Sequence, residues 1–135
     1  MIDMTILPRR LTITGLALSM SACAVTAPAL STAERQAADE TVRETIALYQ
    51  GCMAGMVDDY VTVDTATASE IAAAADAGCA ELYRDYERAL VRYFTGVVSP
   101  SGQQAARDRA LAHAAEARRN AQGMAIMRVL EHRRP

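Results

Sequence analysis

The chain has no tryptophan, one phenylalanine (Phe94) and no lysine. With alanine as about a fifth of its residues, each buried side chain covers little area, so helices must approach closely to gain stability. All fourteen basic residues are arginine, a usage that reads as codon bias in a GC-rich bacterium rather than as chemistry. Also missing are C-x-x-C-H, a glycine-rich phosphate loop and a nucleophile elbow. No strand alternation, internal repeat or low-complexity linker occurs. The reading is therefore all-α and non-enzymatic, with no catalytic residue and no cofactor assigned.

The net charge of −2 conceals an asymmetry. Residues 31–99 hold five Arg against twelve acids, a balance of −7, and residues 100–135 hold seven Arg against three acids, a balance of +4. A nucleic-acid binder shows a basic face with no acidic one to match it. Here the two parts offset each other, so nucleic acid is not expected as a partner. The arginines of the last third (Arg107, Arg109, Arg118, Arg119, Arg128, Arg133, Arg134) read first as a solvated face, partly paired to acids on preceding helices. A contact with an anionic surface is the other use open to them.

What is present at the N-terminus is an address. Arg9-Arg10 precede a short apolar run from Leu11 to Met20 and the small residues Ser21-Ala22 before Cys23; these are the parts of a secretory signal. The tetrad Met20-Ser21-Ala22-Cys23 resembles the bacterial lipobox. That resemblance implies cleavage before Cys23, diacylglycerol on its thiol and, with Ala24 following, an outer-membrane site facing the periplasm. Met20 departs from the usual Leu. Three other readings stay open. Cleavage at Ala22-Cys23-Ala24 or Ala27-Pro28-Ala29 leaves a soluble periplasmic protein. The uncharged residues 11–33 are long enough to span a bilayer, although Thr, Ser, Gly and Pro dilute them. A twin-arginine signal is the third, with Thr12 standing where an apolar residue belongs. The expected organisation is a lipoprotein-type signal peptide over 1–22, a linker over 23–30 and a helical domain over 31–135.

Ser31-Thr-Ala-Glu34 and Thr67-Ala-Ser-Glu70 have the form of capping boxes, in which the first side chain and the last exchange hydrogen bonds with each other's backbone N–H. After the first, Val42, Ile46, Tyr49, Met53, Met56 and Tyr60 recur at helical spacing. After the second, the stripe is Ile71, Ala75, Cys79, Leu82, Tyr86, Leu90 and Tyr93. A third helix near 101–132, with Pro100 in its first turn, aligns Ala106, Ala110, His113, Ala117, Ala121, Met124 and Met127. Matched lengths and short links predict an up-down-up three-helix bundle. Its leftover apolar face makes a homo-oligomer or an envelope protein partner an expectation.

Cys52 and Cys79 lie on the first two helices. With the turn at 62–67 they differ in height by about 5 Å. Facing Cα atoms of packed helices fall ~3.4–5.4 Å apart, against the ~4.4–6.8 Å of a disulfide. Gly51, Gly55 and Gly78 are read as removing bulk at this level. A disulfide stapling the hairpin is thus predicted, and it requires an oxidising compartment.

Met53-x-x-Met56 and Met124-x-x-Met127 are expected to share one layer beside that staple. Thioethers are soft ligands suited to Cu(I), and they are also flexible core fillers; the first use makes these four residues the metal candidates. Asp58-Asp59 and Asp64 lack the spacing of a calcium loop and read as acids that cap helices and solvate a turn. His113 reads as a partly buried histidine on the apolar stripe, and His132 as a cation suited to a helix C-terminus.

An export signal with cysteine, then a Cys on each of two alanine-rich helices with D-x-x-T-A-x-x-I-A (Asp64 to Ala72) between them, resembles small exported proteobacterial proteins over about residues 45–95. The resemblance implies export and a stapled hairpin and carries no catalytic residues. The leading functional reading is an exported envelope lipoprotein acting as a helical structural or interaction module. A periplasmic Cu(I)-handling bundle is the alternative, and an inhibitor of an envelope enzyme a further one.

Overall fold

Ser31 starts the first helix as the sequence predicts: its hydroxyl accepts from the Glu34 N–H and the Glu34 carboxylate accepts from the Ser31 N–H. In a computed structural model that describes residues 29–134, this helix, α1, runs Thr32–Tyr60. Thr67 and Glu70 repeat the reciprocal bonds at the head of α2, Ala68–Gly78. Then follow α3 (Ala80–Gly96), one 3-10 turn at Pro100–Gly102 and α4 (Gln103–His132). The described residues are all-helical, with the Cys52–Cys79 disulfide in place and a Cα–Cα distance of 6.0 Å.

The second of the three expected long helices is two helices. At Cys79 the backbone opens to φ −99°, ψ 12°, well away from the helical ψ near −42°. Gly78 weakens helix propensity at this point, and the staple fixes Cys79 against α1. The join stays short, because the Cys79 N–H still donates to Ala75 O and the Tyr83 N–H to Cys79 O. Of the three glycines expected to ease close approach, only Gly78 does so. A Cβ on it would lie 2.6 Å from the Met56 thioether methyl, whereas one on Gly51 or Gly55 would meet nothing within 4 Å. Cys52 and Met56 share the face turned to α2, and Gly51 and Gly55 sit about 100° round the helix from them.

Tyr49, Val57, Cys79 and Val129 are the largest fully buried side chains, and Ala72, Ala75, Ala110, Ala114 and Ala121 surround them. Such small residues let α1, α2, α3 and α4 close on one another. The buried stripe of α4 differs from the expected one. It runs Ala106, Ala110, Ala114, Ala121, Ala125, Val129, while His113, Met124 and Met127 are exposed. Residues 127 and 129 lie about 200° apart on a helix, so the two readings diverge to opposite sides at its C-terminal end. In an alanine-rich helix nearly every face is apolar enough to be buried, and the neighbours choose the phase. At the other end the Leu30 N–H donates to Gly96 O at 2.9 Å, tying the start of the described chain to the end of α3.

Candidate functional site

The face that α2 turns inward, Ile71, Ala72, Ala75 and Cys79, also carries Asp76, the one buried charged residue among those described, at 5% exposure. Burying a carboxylate is costly unless it is fully hydrogen-bonded, and Asp76 is. Tyr49 on α1 donates its hydroxyl to Oδ1 at 2.7 Å. Arg118 on α4 donates Nε to both oxygens at 2.9 Å and a terminal N–H to Oδ2 at 2.5 Å. One turn on, Gln122 donates Nε2 to Oδ2 at 3.0 Å. The Arg118 guanidinium also lies 4.7 Å from the centre of the Tyr83 ring, and the Tyr49 and Tyr83 rings stand 5.5 Å apart. Three helices therefore meet at a single carboxylate and a fourth supplies an aromatic platform.

Burial alone pushes the Asp76 carboxyl up, but the Arg118 fork, the Tyr49 hydroxyl and Gln122 outweigh it and hold it below the usual carboxylate range. Tyr49 moves the other way, raised first by burial and then by its bond to the Asp76 carboxylate. Tyr83 is pushed up to about 12, mainly by burial with a hydrogen bond to Glu87 behind it. Both oxygens of Asp76 are engaged, so the group is suited to locking helices and ill suited to taking a proton. Sequence reasoning did not single out Asp76. The available signal was a lone charge inside Ile71–Ala77, three residues before a cysteine on the same face.

The methionines are brought together only in part. Met53, Met124 and Met127 line a groove of about 830 Å³ between α1 and α4, beside Gln50, Ala54 and Gly123. Met56 lies elsewhere, its thioether against Gly78. Met53 is buried, while Met124 and Met127 stand open. Among the described residues no group of three or more His, Cys, Asp or Glu converges as a metal site.

At the far end Asp58 takes a two-pronged pair from Arg128, both contacts 2.7 Å, with His132 Nε2 at 3.5 Å. Hydrogen bonds from Arg128 hold the Asp58 carboxyl below its usual range. Arg133 reaches back to the hairpin loop and donates to Ala66 O and Val63 O, both at 2.7 Å. Arg118 and Arg128 thus pair with acids on preceding helices, as the first reading of the arginine-rich helix expects, while Arg133 bonds loop carbonyls instead. His113 is exposed rather than partly buried, its ring 5.4 Å from that of Phe94.

No protein-family model, curated protein or solved structure matches this chain. Among the described residues no helix is long and apolar enough to cross a membrane. Cys23 and the export signal, the cleavage sites up to Pro28 and most of the 11–33 stretch lie outside the described residues.

Proposed function

We propose that this chain is a non-enzymatic helical interaction module of a bacterial envelope. It is exported by the signal over 1–22 and held by lipid on Cys23 at the outer membrane, facing the periplasm; the soluble periplasmic form is the outcome of the other cleavage route. The carrying observation is the Cys52–Cys79 disulfide, since a structural bond of this kind persists in oxidising compartments and not in a reducing cytosol. In this reading α2 and α3 together form the second arm of an up-down-up bundle, with the bend at Cys79 inside that arm. The engaged state of Asp76 supports a scaffold role over a catalytic one.

Intact mass of the protein recovered from membrane and soluble fractions tests the proposal. The expected species begins at Cys23, carries a diacylglycerol and acyl increment and lacks the two hydrogens lost to the disulfide. A full-length, reduced protein in the cytosolic fraction overturns it.

A second reading is favoured by the groove that Met53, Met124 and Met127 share. Three thioethers are a soft donor set matched to Cu(I). Titration of the native protein and the Met53→Leu/Met127→Leu variant with Cu(I) decides. Binding by the first that is lost in the second supports this reading, and equal binding or none removes it.

A further inference from the structure

The side of α4 turned away from the core carries a second periodic pattern. Glu116, Asn120, Gly123, Met127, Leu130 and Arg134 follow one another at spacings of 4, 3, 4, 3 and 4, and all are exposed. That is the 3.5-residue repeat of a helix–helix seam, whereas the core stripe of the same helix steps mostly by four. The pattern is also its own mirror about position 125. In an antiparallel pair of identical helices, residues whose numbers sum to 250 lie opposite each other. Glu116 then faces Arg134, Asn120 faces Leu130 and Gly123 faces Met127, with Arg119 facing Glu131 on the flank.

We infer that α4 forms a two-fold antiparallel dimer with α4 of a second copy of this chain, Met127 of each copy packing over Gly123 of the other. The inference rests on the interaction-module reading and names its partner. Three observations carry it. First, among the described residues Glu116, Arg119, Glu131 and Arg134 take part in no ion pair within the chain, and in the dimer each meets an opposite charge. A two-fold contact requires that kind of self-complementarity.

Second, Gly123 is costly in the middle of a helix, and nothing within the chain needs it, since a Cβ there meets nothing within 4 Å. A side chain arriving from outside does need the space. Third, Met127 and Leu130 are 52% and 48% exposed, two large apolar side chains at the centre of the seam with charge at its ends. A seam ~27 Å long buries on the order of 1,000 Å² in total, near the lower limit for a specific interface. An interface of that size is expected to be reversible and concentration-dependent.

Sedimentation velocity of the full chain over a concentration series tests it. The expected result is a monomer–dimer equilibrium. Arg119→Glu/Arg134→Glu and Glu116→Arg/Glu131→Arg each place like charges opposite one another and weaken self-association ~tenfold or more. Mixed in equal amounts, the two variants recover dimer, because their faces are again complementary. Gly123→Leu, which fills the space for Met127, loosens the dimer with helical circular dichroism unchanged. A native chain that is monomeric throughout the series, variants that dimerise as tightly as native, or a mixture that stays monomeric overturns the dimer. Copurification from envelope extracts separates this failure from that of the wider reading. A monomer that still retains an envelope partner loses only the dimer, and one that retains none loses both.

Discussion

Arg118 on α4 closes a fork on Asp76 of α2, with its Nε 2.9 Å from both carboxylate oxygens, and so joins two helices 42 residues apart in sequence. Asp76 is almost wholly buried and Arg118 is 40% exposed on its side chain. The pair is therefore unequal. Removing the arginine strands a charge inside the bundle, while removing the acid frees an arginine that reaches water.

Arg118→Ala is expected to cost about 2–4 kcal/mol, toward the lower end of breaking a buried pair because Tyr49 and Gln122 still serve the carboxylate. Asp76→Ala is expected to cost about 1–3 kcal/mol, chiefly by orphaning the Tyr49 hydroxyl. Urea unfolding followed by circular dichroism measures both. The combined variant should cost less than the sum, since either change already removes the shared interaction.

The same node contributes to both pH limits of stability. The folded carboxyl of Asp76 sits below its ordinary 3.8, so its contribution is present above about pH 4 and is lost as pH falls through the folded value. Tyr83, raised from 10.0 to about 12, contributes below pH 10 and loses that contribution as pH rises toward 12. Unfolding free energy is expected to be flat between these limits. Asp76→Asn should make the acid limb shallower, leaving the share of Asp58, and Tyr83→Phe the alkaline one, leaving the share of Tyr49. Unchanged limbs in the variants refute the assignment.

The Cys52–Cys79 bond closes a loop of about 28 residues, which corresponds to about 3–4 kcal/mol. Cys52→Ala/Cys79→Ala, or the native protein with reductant, is expected to lose that amount in thermal or urea unfolding. If reduction changes nothing, the denatured chain is not being restrained by the bond.

The glycines divide by environment. Gly51→Ala and Gly55→Ala place a methyl in open space on α1 and are expected to stabilise by about 0.5–1 kcal/mol each. A Cβ on Gly96 would stand 2.7 Å from Leu30 Cγ and closer still to Cδ1, so Gly96→Ala must push Leu30 off the end of α3. A loss of about 1–3 kcal/mol is expected from such overpacking, read as a lower melting temperature beside the raised ones of the α1 variants.

Arg133 donates to the carbonyls of Val63 and Ala66 in the loop after α1, where Val63 O also accepts from the Ala66 N–H. Arg133→Ala is expected to cost about 1 kcal/mol. Faster amide hydrogen exchange should be confined to residues 61–67 and the last turn of α4. Uniformly faster exchange across all four helices would mean that the residue supports the whole bundle instead.

The features legible in the amino-acid order are those whose physics closes within a few residues. Ser31 with Glu34 and Thr67 with Glu70 write out two helix starts, because donor and acceptor sit three positions apart and bond in any helix that begins there. The Cys52–Cys79 staple was legible for a related reason, since counting residues from one tight turn gives height along two antiparallel helices. The phase of α4 was not legible. Alanine on most sides leaves burial to be chosen by α1, α2 and α3, and they choose Ala125 and Val129 over Met124 and Met127. The outward turn of Gly51 and Gly55 and the separation of Met56 from the other methionines likewise depend on which face α1 turns to α2, and the bend at Cys79 on the staple closing beside Gly78.

Asp76 is the sharpest case. In sequence it is one acid in an alanine run. Its partners Tyr49, Arg118 and Gln122 lie 27 to 46 positions away, and only packed helices bring them within hydrogen-bond reach. Local order determined the helical class, the helix starts and the staple, because each depends on short-range geometry. Tertiary structure decided which faces are buried, which charge is trapped among them and which face of α4 stays exposed, because these depend on the competition among helices for a shared core.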